Sequence, residues 1–341
     1  MRPGPAFALK SPFHPAGFPT KLACKSAFMK TITLGSLKCS RLAYGCWRLA
    51  GTWDPSQADA KRQADGERAV LAAWDAGYTL FDHADIYCDG LAETIFGKVL
   101  KQSAELRRGA ILASKCGIRK KGAPQPPAPY RYDFSADYIV ASCEQSLQRL
   151  GVEVIHLYQL HRPDYLCDPD EVAGAFSRLK QAGKVLEFGV SNFRPSQVTA
   201  LQKACPMRLI VNQVELSLKR LTCLEDGTLD QCLAEKMTPL AWSPLGGGSL
   251  VDPNPIDLRL ANHAHRIALR EIMDDIIRTH ANTTRTCVAL AWLLKHPAQI
   301  VPIIGSVQPD RIREAVGALD LTLSREEWYR LFEAARGERL P

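Results

Sequence analysis

The chain has 341 residues, 46% hydrophobic and 23% charged, a globular composition long enough to bury a stable core without disulfides. No run of 18 or more apolar residues occurs, so no segment reads as a membrane span. The net charge of +7 is an N-terminal property: residues 1–53 carry eight basic and no acidic side chains, leaving the other 288 at −1, so the body of the chain does not ask for a nucleic acid.

Residues 1–28 are rich in Pro, Lys, Phe and Ala and show neither a helical nor a strand period. They lack the uninterrupted apolar stretch of a secretory signal, and read as a disordered extension or as a start assigned too far upstream. The domain is expected over 29–341. Strands are predicted at 41–45, 78–82, 110–115, 154–161, 187–191, 209–215, 239–243 and 300–305, with helices near 66–76, 91–101, 135–150, 168–182, 195–204, 228–236, 262–280 and 308–318. The fourth of these strands is followed by Arg162, Pro163 and Asp164, a loop signal. The stretch 135–150 shows the helix grammar: Ser135 as N-cap, Ile139, Val140, Cys143, Leu147 and Leu150 on one stripe, and Gly151 as the stop. Trp292 and Trp328 fall in helical stretches and read as core. Eight βα units without an internal linker predict an α/β fold, a single (β/α)8 barrel. A doubly wound sheet would carry G-x-G-x-x-G after its first strand, and none is there. Eleven cysteines without a C-x-x-C pair fit reduced thiols in a cytoplasmic protein.

A barrel exposes its chemistry at the C-terminal ends of its strands. The polar residues cluster there: Asp82, Lys115, His161, Ser191, Asn192, Gln213, Glu215, Ser243, Gly305 and Ser306. His156 and His161 are five residues apart and so face opposite sides of a regular strand. His161, at the open end, is the functional candidate, and His156 should be structural. A lone phenol, with pKa near 10, is a poor proton donor at neutral pH. An ammonium nearby lowers that pKa, so Tyr87 and Lys115 on neighbouring units, with Asp82 and His161, suit protonation of a carbonyl oxygen as a hydride reaches its carbon. His83 and Asp85 invite a metal reading, but the paired histidines of barrel hydrolases are missing. No metal is expected; Asp85 should shape the loop and His83 should pack. Cys116 should point away from the barrel interior, and Trp47 should line the substrate pocket.

These motifs resemble the aldo-keto reductase family over nearly all of residues 31–336, and within it a bacterial YdhF-like branch. "FDHADIY" is similar to the family's Asp-x-x-x-x-Tyr motif, "ASKCG" to its Lys strand and "LYQLHRPD" to its His strand. "GVSNF", "NQVE", "AWSPLGGG" and "PIIGS" follow in the family's order. The resemblance implies Tyr87 as general acid, Lys115 lowering its pKa, Asp82 paired with Lys115, and His161 orienting the carbonyl. It implies Ser191, Asn192 and Gln213 around the nicotinamide carboxamide and Trp242 stacked on the ring. Ser243, Leu245 and Gly247 would lie at the pyrophosphate, and Gly45, Gly305, Ser306 and Glu314 at further cofactor contacts. Arg311 would meet the adenosine 2′-phosphate. The implied activity is NADPH-dependent reduction of small aldehydes or ketones, with NADH as second candidate.

The alternative of another class is a nicotinamide-binding regulatory or scaffold subunit, as in the potassium-channel β-subunits of this fold. Two departures bear on the cofactor: Gly305 stands where the phosphate motif often has a basic residue, and Ala315 where Asn often follows Glu314. The short C-terminus predicts an open, tolerant pocket. Lys120, Lys121 and Arg131 read as a solvated loop. Oligomeric state is not legible.

Overall fold

The computed structural model describes residues 28–252, 254 and 263–340; the expectation for the N-terminal segment lies, Phe28 apart, outside the described residues. An antiparallel hairpin comes first, β1 (Thr31–Leu34) and β2 (Leu37–Ser40), turning at Gly35 with φ of 56°. Then follow β3 (Ala43–Gly45), α1 (Ala60–Asp75), β4 (Leu80–Asp82), α2 (Leu91–Gln102), α3 (Ala104–Gly109) and β5 (Ile111–Cys116). A second small hairpin, β6 (Ile118–Arg119) and β7 (Arg131–Tyr132), precedes α4 (Ala136–Leu150) and β8 (Ile155–Leu160). Next are α5 (Pro169–Gln181), β9 (Val185–Ser191), α6 (Pro195–Ala204), β10 (Leu209–Glu215), α7 (Thr228–Ala234) and β11 (Thr238–Trp242). The chain continues through α8 (His263–Thr279), α9 (Arg285–Leu294), β12 (Val301–Ile304), α10 (Pro309–Val316) and α11 (Arg325–Arg336).

Strands β3, β4, β5, β8, β9, β10, β11 and β12 pair in parallel in that order, and β12 returns to β3 to close the barrel. The eight predicted strands are these eight. An apolar layer fills the interior: Ala43, Leu80, Ala113, Leu157, Val211, Leu240, Val301 and Ile303. Side chains on a strand repeat every two residues. The next inward layer therefore consists of Gly45, Asp82, Lys115, Gln159, Gln213, Trp242 and Gly305. The polar layer stands directly on the apolar one.

The β1–β2 hairpin was not expected. Its Ile32, Leu34, Leu37 and Cys39 pack on the same interior layer, so it plugs the end opposite the polar layer. Helices α9 and α11 were expected only as the helical stretches around Trp292 and Trp328, without bounds, and α1 begins six residues earlier than its apolar pattern suggested, capped by Asp59, whose side chain accepts from Arg62 N. Trp292 and Trp328 stack at 5.1 Å and exchange indole N–H bonds to each other's carbonyls. Gly151 ends α4 with φ of 67°, but the Ser135 hydroxyl does not cap it. Ser135 donates instead to Asp133, and Ala136 N donates to Glu171 of α5, so the helix start is held by a neighbouring element.

Candidate active site

Lys115 is 0% exposed, and a buried ammonium is tolerable only when paired. Its Nζ donates to Asp82 Oδ2 at 2.8 Å, to the His83 carbonyl at 2.7 Å and to the Tyr87 hydroxyl at 3.1 Å. An ammonium has three N–H donors, so all three are spent on fixed acceptors. The other Asp82 oxygen accepts from Gln213 Nε2 at 2.8 Å, from across the barrel. Tyr87 reaches this cluster from a tight loop in which Cys88, Asp89 and Gly90 have φ of 48°, 53° and 84°. Left-handed geometry at two consecutive non-glycine residues is a local strain, held by the buried Cys88 and the start of α2.

Burial sets the electrostatics. It pushes the Tyr87 phenol above its ordinary value; Lys115 pulls down, Asp82 pushes up again, and the net direction is upward. Lys115 thus acts on the phenol in the expected direction, and desolvation outweighs it. Burial opposes the charge on Lys115 too, but Asp82 and Tyr87 more than offset it and hold its pKa above the ordinary value. The His161 ring lies edge-on to Tyr87, centroids 5.8 Å apart. Burial, then Lys115 and Arg162, hold its pKa well below the usual range, so it is neutral at neutral pH. His156, by contrast, accepts from Leu112 N at 3.1 Å and serves the sheet.

The remaining loop residues take packing roles. The His83 ring packs edge-on against Phe96 at 4.6 Å, without a hydrogen-bond partner for either nitrogen. Asp85 accepts from Ser142 at 2.7 Å and Tyr138 at 3.2 Å, tying the loop to α4. Cys116 is buried in the outer cluster, as expected. Trp47 stacks on Trp53 at 5.4 Å, and Trp53 stands edge-on to Tyr87 at 6.2 Å. Trp53 was missed; its one signal was an aromatic in the loop after the first barrel strand. Lys120 of the predicted solvated loop pairs with Asp89, and Arg131 holds the Ala123 carbonyl.

Beside this cluster, Ser191 donates to the Gln213 carbonyl at 2.8 Å. Asn192, left-handed at φ 61°, donates to Ser191 Oγ and the His161 carbonyl and accepts from Trp242 Nε1 at 3.0 Å. Ser243 is left-handed as well, and Gly246, Gly247 and Gly248 follow Leu245 with φ of 57°, 71° and 97°. A Cβ on Gly247 or Gly248 would meet nothing within 4 Å, so the turn has open space above it where an anion could approach main-chain N–H groups. Ser306 precedes α10; its carbonyl accepts from Tyr44 and its hydroxyl from Gln308 N. Arg311 is exposed on α10 and forms no ion pair among the described residues, whereas Arg313 pairs with Asp310. Glu314 is partly buried one turn on. The residues present thus fit a dinucleotide cofactor: strained polar residues at two strand ends, a glycine turn and an unpaired arginine.

A parallel barrel whose polar layer joins Asp, Tyr, Lys and His defines an oxidoreductase of the aldo-keto reductase class. The model of the Aldo/keto reductase family matches residues 41–336, and the chain belongs to that family. It is 42% identical over 308 residues to a 6-dehydroglucose reductase of Novosphingobium aromaticivorans, covering 89% of this chain and 93% of that one. It is 39% identical over 302 residues to the oxidoreductase YdhF of Escherichia coli, covering 89% and 95%. Among solved structures, the glycerol dehydrogenase of Gluconobacter oxydans superposes with a TM-score of 0.78 at 25% identity, covering 92% and 97%. No helix among the described residues is long and apolar enough to cross a membrane.

Proposed function

We propose that this oxidoreductase reduces aldehydes or ketones to alcohols with NADPH, with Tyr87 as the general acid. The observation that carries the reading is the three-way bond of the Lys115 ammonium to Asp82, His83 and Tyr87. NADPH, when bound, supplies a hydride to the carbonyl carbon. Ser191, Asn192 and Gln213 would orient its carboxamide, Trp242 would cover the ring, and Ser243, Leu245 and Gly247 would offer main-chain donors to its pyrophosphate.

The proton is the protein's part. Lys115 occupies an acceptor position of the Tyr87 oxygen, which leaves the phenol O–H to donate to the carbonyl oxygen. As that proton leaves, the ammonium stabilises the phenolate, and Asp82, fixed by Gln213, holds the ammonium in line. A neutral His161 offers one N–H to the same oxygen. Because burial raises the phenol's pKa, Tyr87 is a stored acid across neutral pH, and reduction should fall only as pH climbs through that raised value. The cytosol suits the chain, since no disulfide joins the ten cysteines among the described residues.

Tyr87→Phe tests the assignment. Carbonyl reduction should fall about 10²–10⁴-fold, the usual worth of a positioned general acid, while NADPH still binds. Near-wild-type turnover would sink it. NADPH binding by the wild type without turnover of any reactive aldehyde would favour the scaffold alternative.

A further inference from the structure

Gly305 follows the last barrel strand directly beneath Trp47. A Cβ there would stand 2.8 Å from the indole Nε1, a distance real Cβ contacts do not show. The absence of a basic side chain at 305 thus has a steric cause: Trp47 fills the space. Trp47 carries the Arg48 guanidinium at 4.3 Å from its ring and stacks against Trp53. Trp53, 55% exposed, is a large apolar face left open beside the buried phenol.

We propose that Trp53 is a specificity-determining residue: a platform for the ring of a polyhydroxylated aldehyde, with Gly305 as the steric condition that lets Trp47 support it. This rests on the carbonyl reduction proposed above. An indole face is electron-rich and attracts the C–H groups of a saturated ring laid flat on it. Charged side chains at the same end of the barrel suit hydroxyls. Lys120 pairs with Asp89 and is near enough to act on Asp54. Arg162 lies over the Trp242 ring at 5.5 Å and forms no ion pair among the described residues. A pocket for a lipophilic carbonyl would instead be walled by apolar groups.

The test compares kcat and KM for a glucose-derived 6-aldehyde, cyclohexanecarbaldehyde and acyclic glycolaldehyde. In the wild type the sugar aldehyde should be preferred to both others. In Trp53→Ala its preference over glycolaldehyde, as a ratio of kcat/KM, should drop about tenfold, chiefly through KM, the scale of one stacking contact. Trp53→Phe should restore most of it, and Gly305→Ala should reproduce the drop by displacing Trp47. Equal losses for both aldehydes in Trp53→Ala would mean that Trp53 supports Tyr87 rather than the substrate, and an unchanged ratio would remove it from recognition; either overturns the proposal. A wild type that takes cyclohexanecarbaldehyde as readily as the sugar aldehyde overturns the assigned class. A wild type that reduces none of the three overturns the reductase reading, and the platform with it.

Discussion

Lys115 does two jobs that its variants should separate from those of Tyr87. It neutralises Asp82, which is 3% exposed, and it steadies the phenol. Lys115→Met keeps the length of the side chain and removes the ammonium. The Asp82 carboxylate would then be buried with only Gln213 for a partner. Leaving one charge of a buried pair uncompensated costs about 3–5 kcal/mol, so the melting temperature should fall clearly, together with activity. Tyr87→Phe removes a hydroxyl and no charge, leaving one Lys115 N–H without its acceptor, so it should lose activity with a smaller loss of stability, about 1–3 kcal/mol. Thermal melts beside steady-state rates check the contrast; a Lys115→Met protein as stable as the wild type would show that Asp82 does not carry its charge in the fold. The pKa of Tyr87 belongs to the same scale. The lysine was legible in the sequence, but the depth of burial that outweighs it was not, because burial is a property of the packed loop.

At the scale of elements, the eight barrel strands were legible because each is a short apolar run ended by polar residues, and the inward set could be counted off in twos. The β1–β2 hairpin was not, since four-residue strands are too short to show a period. Nor were the bounds of α9 and α11, sensed only as helical stretches around Trp292 and Trp328: α9 is apolar nearly all round, with eight buried residues of ten, so no stripe marks its extent. Ser135 misled because a cap can be supplied by another element, here Glu171. Trp53 lay in a loop, where no periodicity singles out a side chain. Helix α10 carries a prediction of its own. Arg311 can present a fork of donors to a 2′-phosphate, a charge-assisted contact contributing about 1.5–3 kcal/mol. Arg311→Ala should weaken NADPH binding roughly 10- to 150-fold and leave NADH nearly unchanged, read by fluorescence titration of each cofactor. Equal losses would place Arg311 among the helix's supports and remove the main basis for preferring NADPH.

The whole molecule responds to acid through groups that its closed barrel keeps from water. Burial, and secondarily Lys115, pull the His83 pKa from 6.5 to about 3. Between those values the unfolded chain takes up a proton that the folded protein refuses, so stability falls as pH drops below about 6.5. His161, depressed by the same causes, acts in the same direction. Asp85 acts in the opposite one: burial raises it from 3.8 to about 6, so the folded protein keeps a proton there that the unfolded chain releases, and its contribution fades as pH rises through that interval. His156 and His296, also lowered by burial, add to the two histidines against the one carboxyl, and acid should destabilise. His83→Leu fills a similar space against Phe96 and leaves no ring nitrogen unpaired. It should raise the melting temperature at every pH, because two orphaned polar atoms are gone, and raise it more at pH 5 than at pH 8, because the refused proton is gone too. Melting curves of both proteins at the two pH values decide the matter. The same gain at both would mean that His83 is no source of acid sensitivity, and that the other histidines whose charge burial opposes, His161, His156 and His296, would have to supply it.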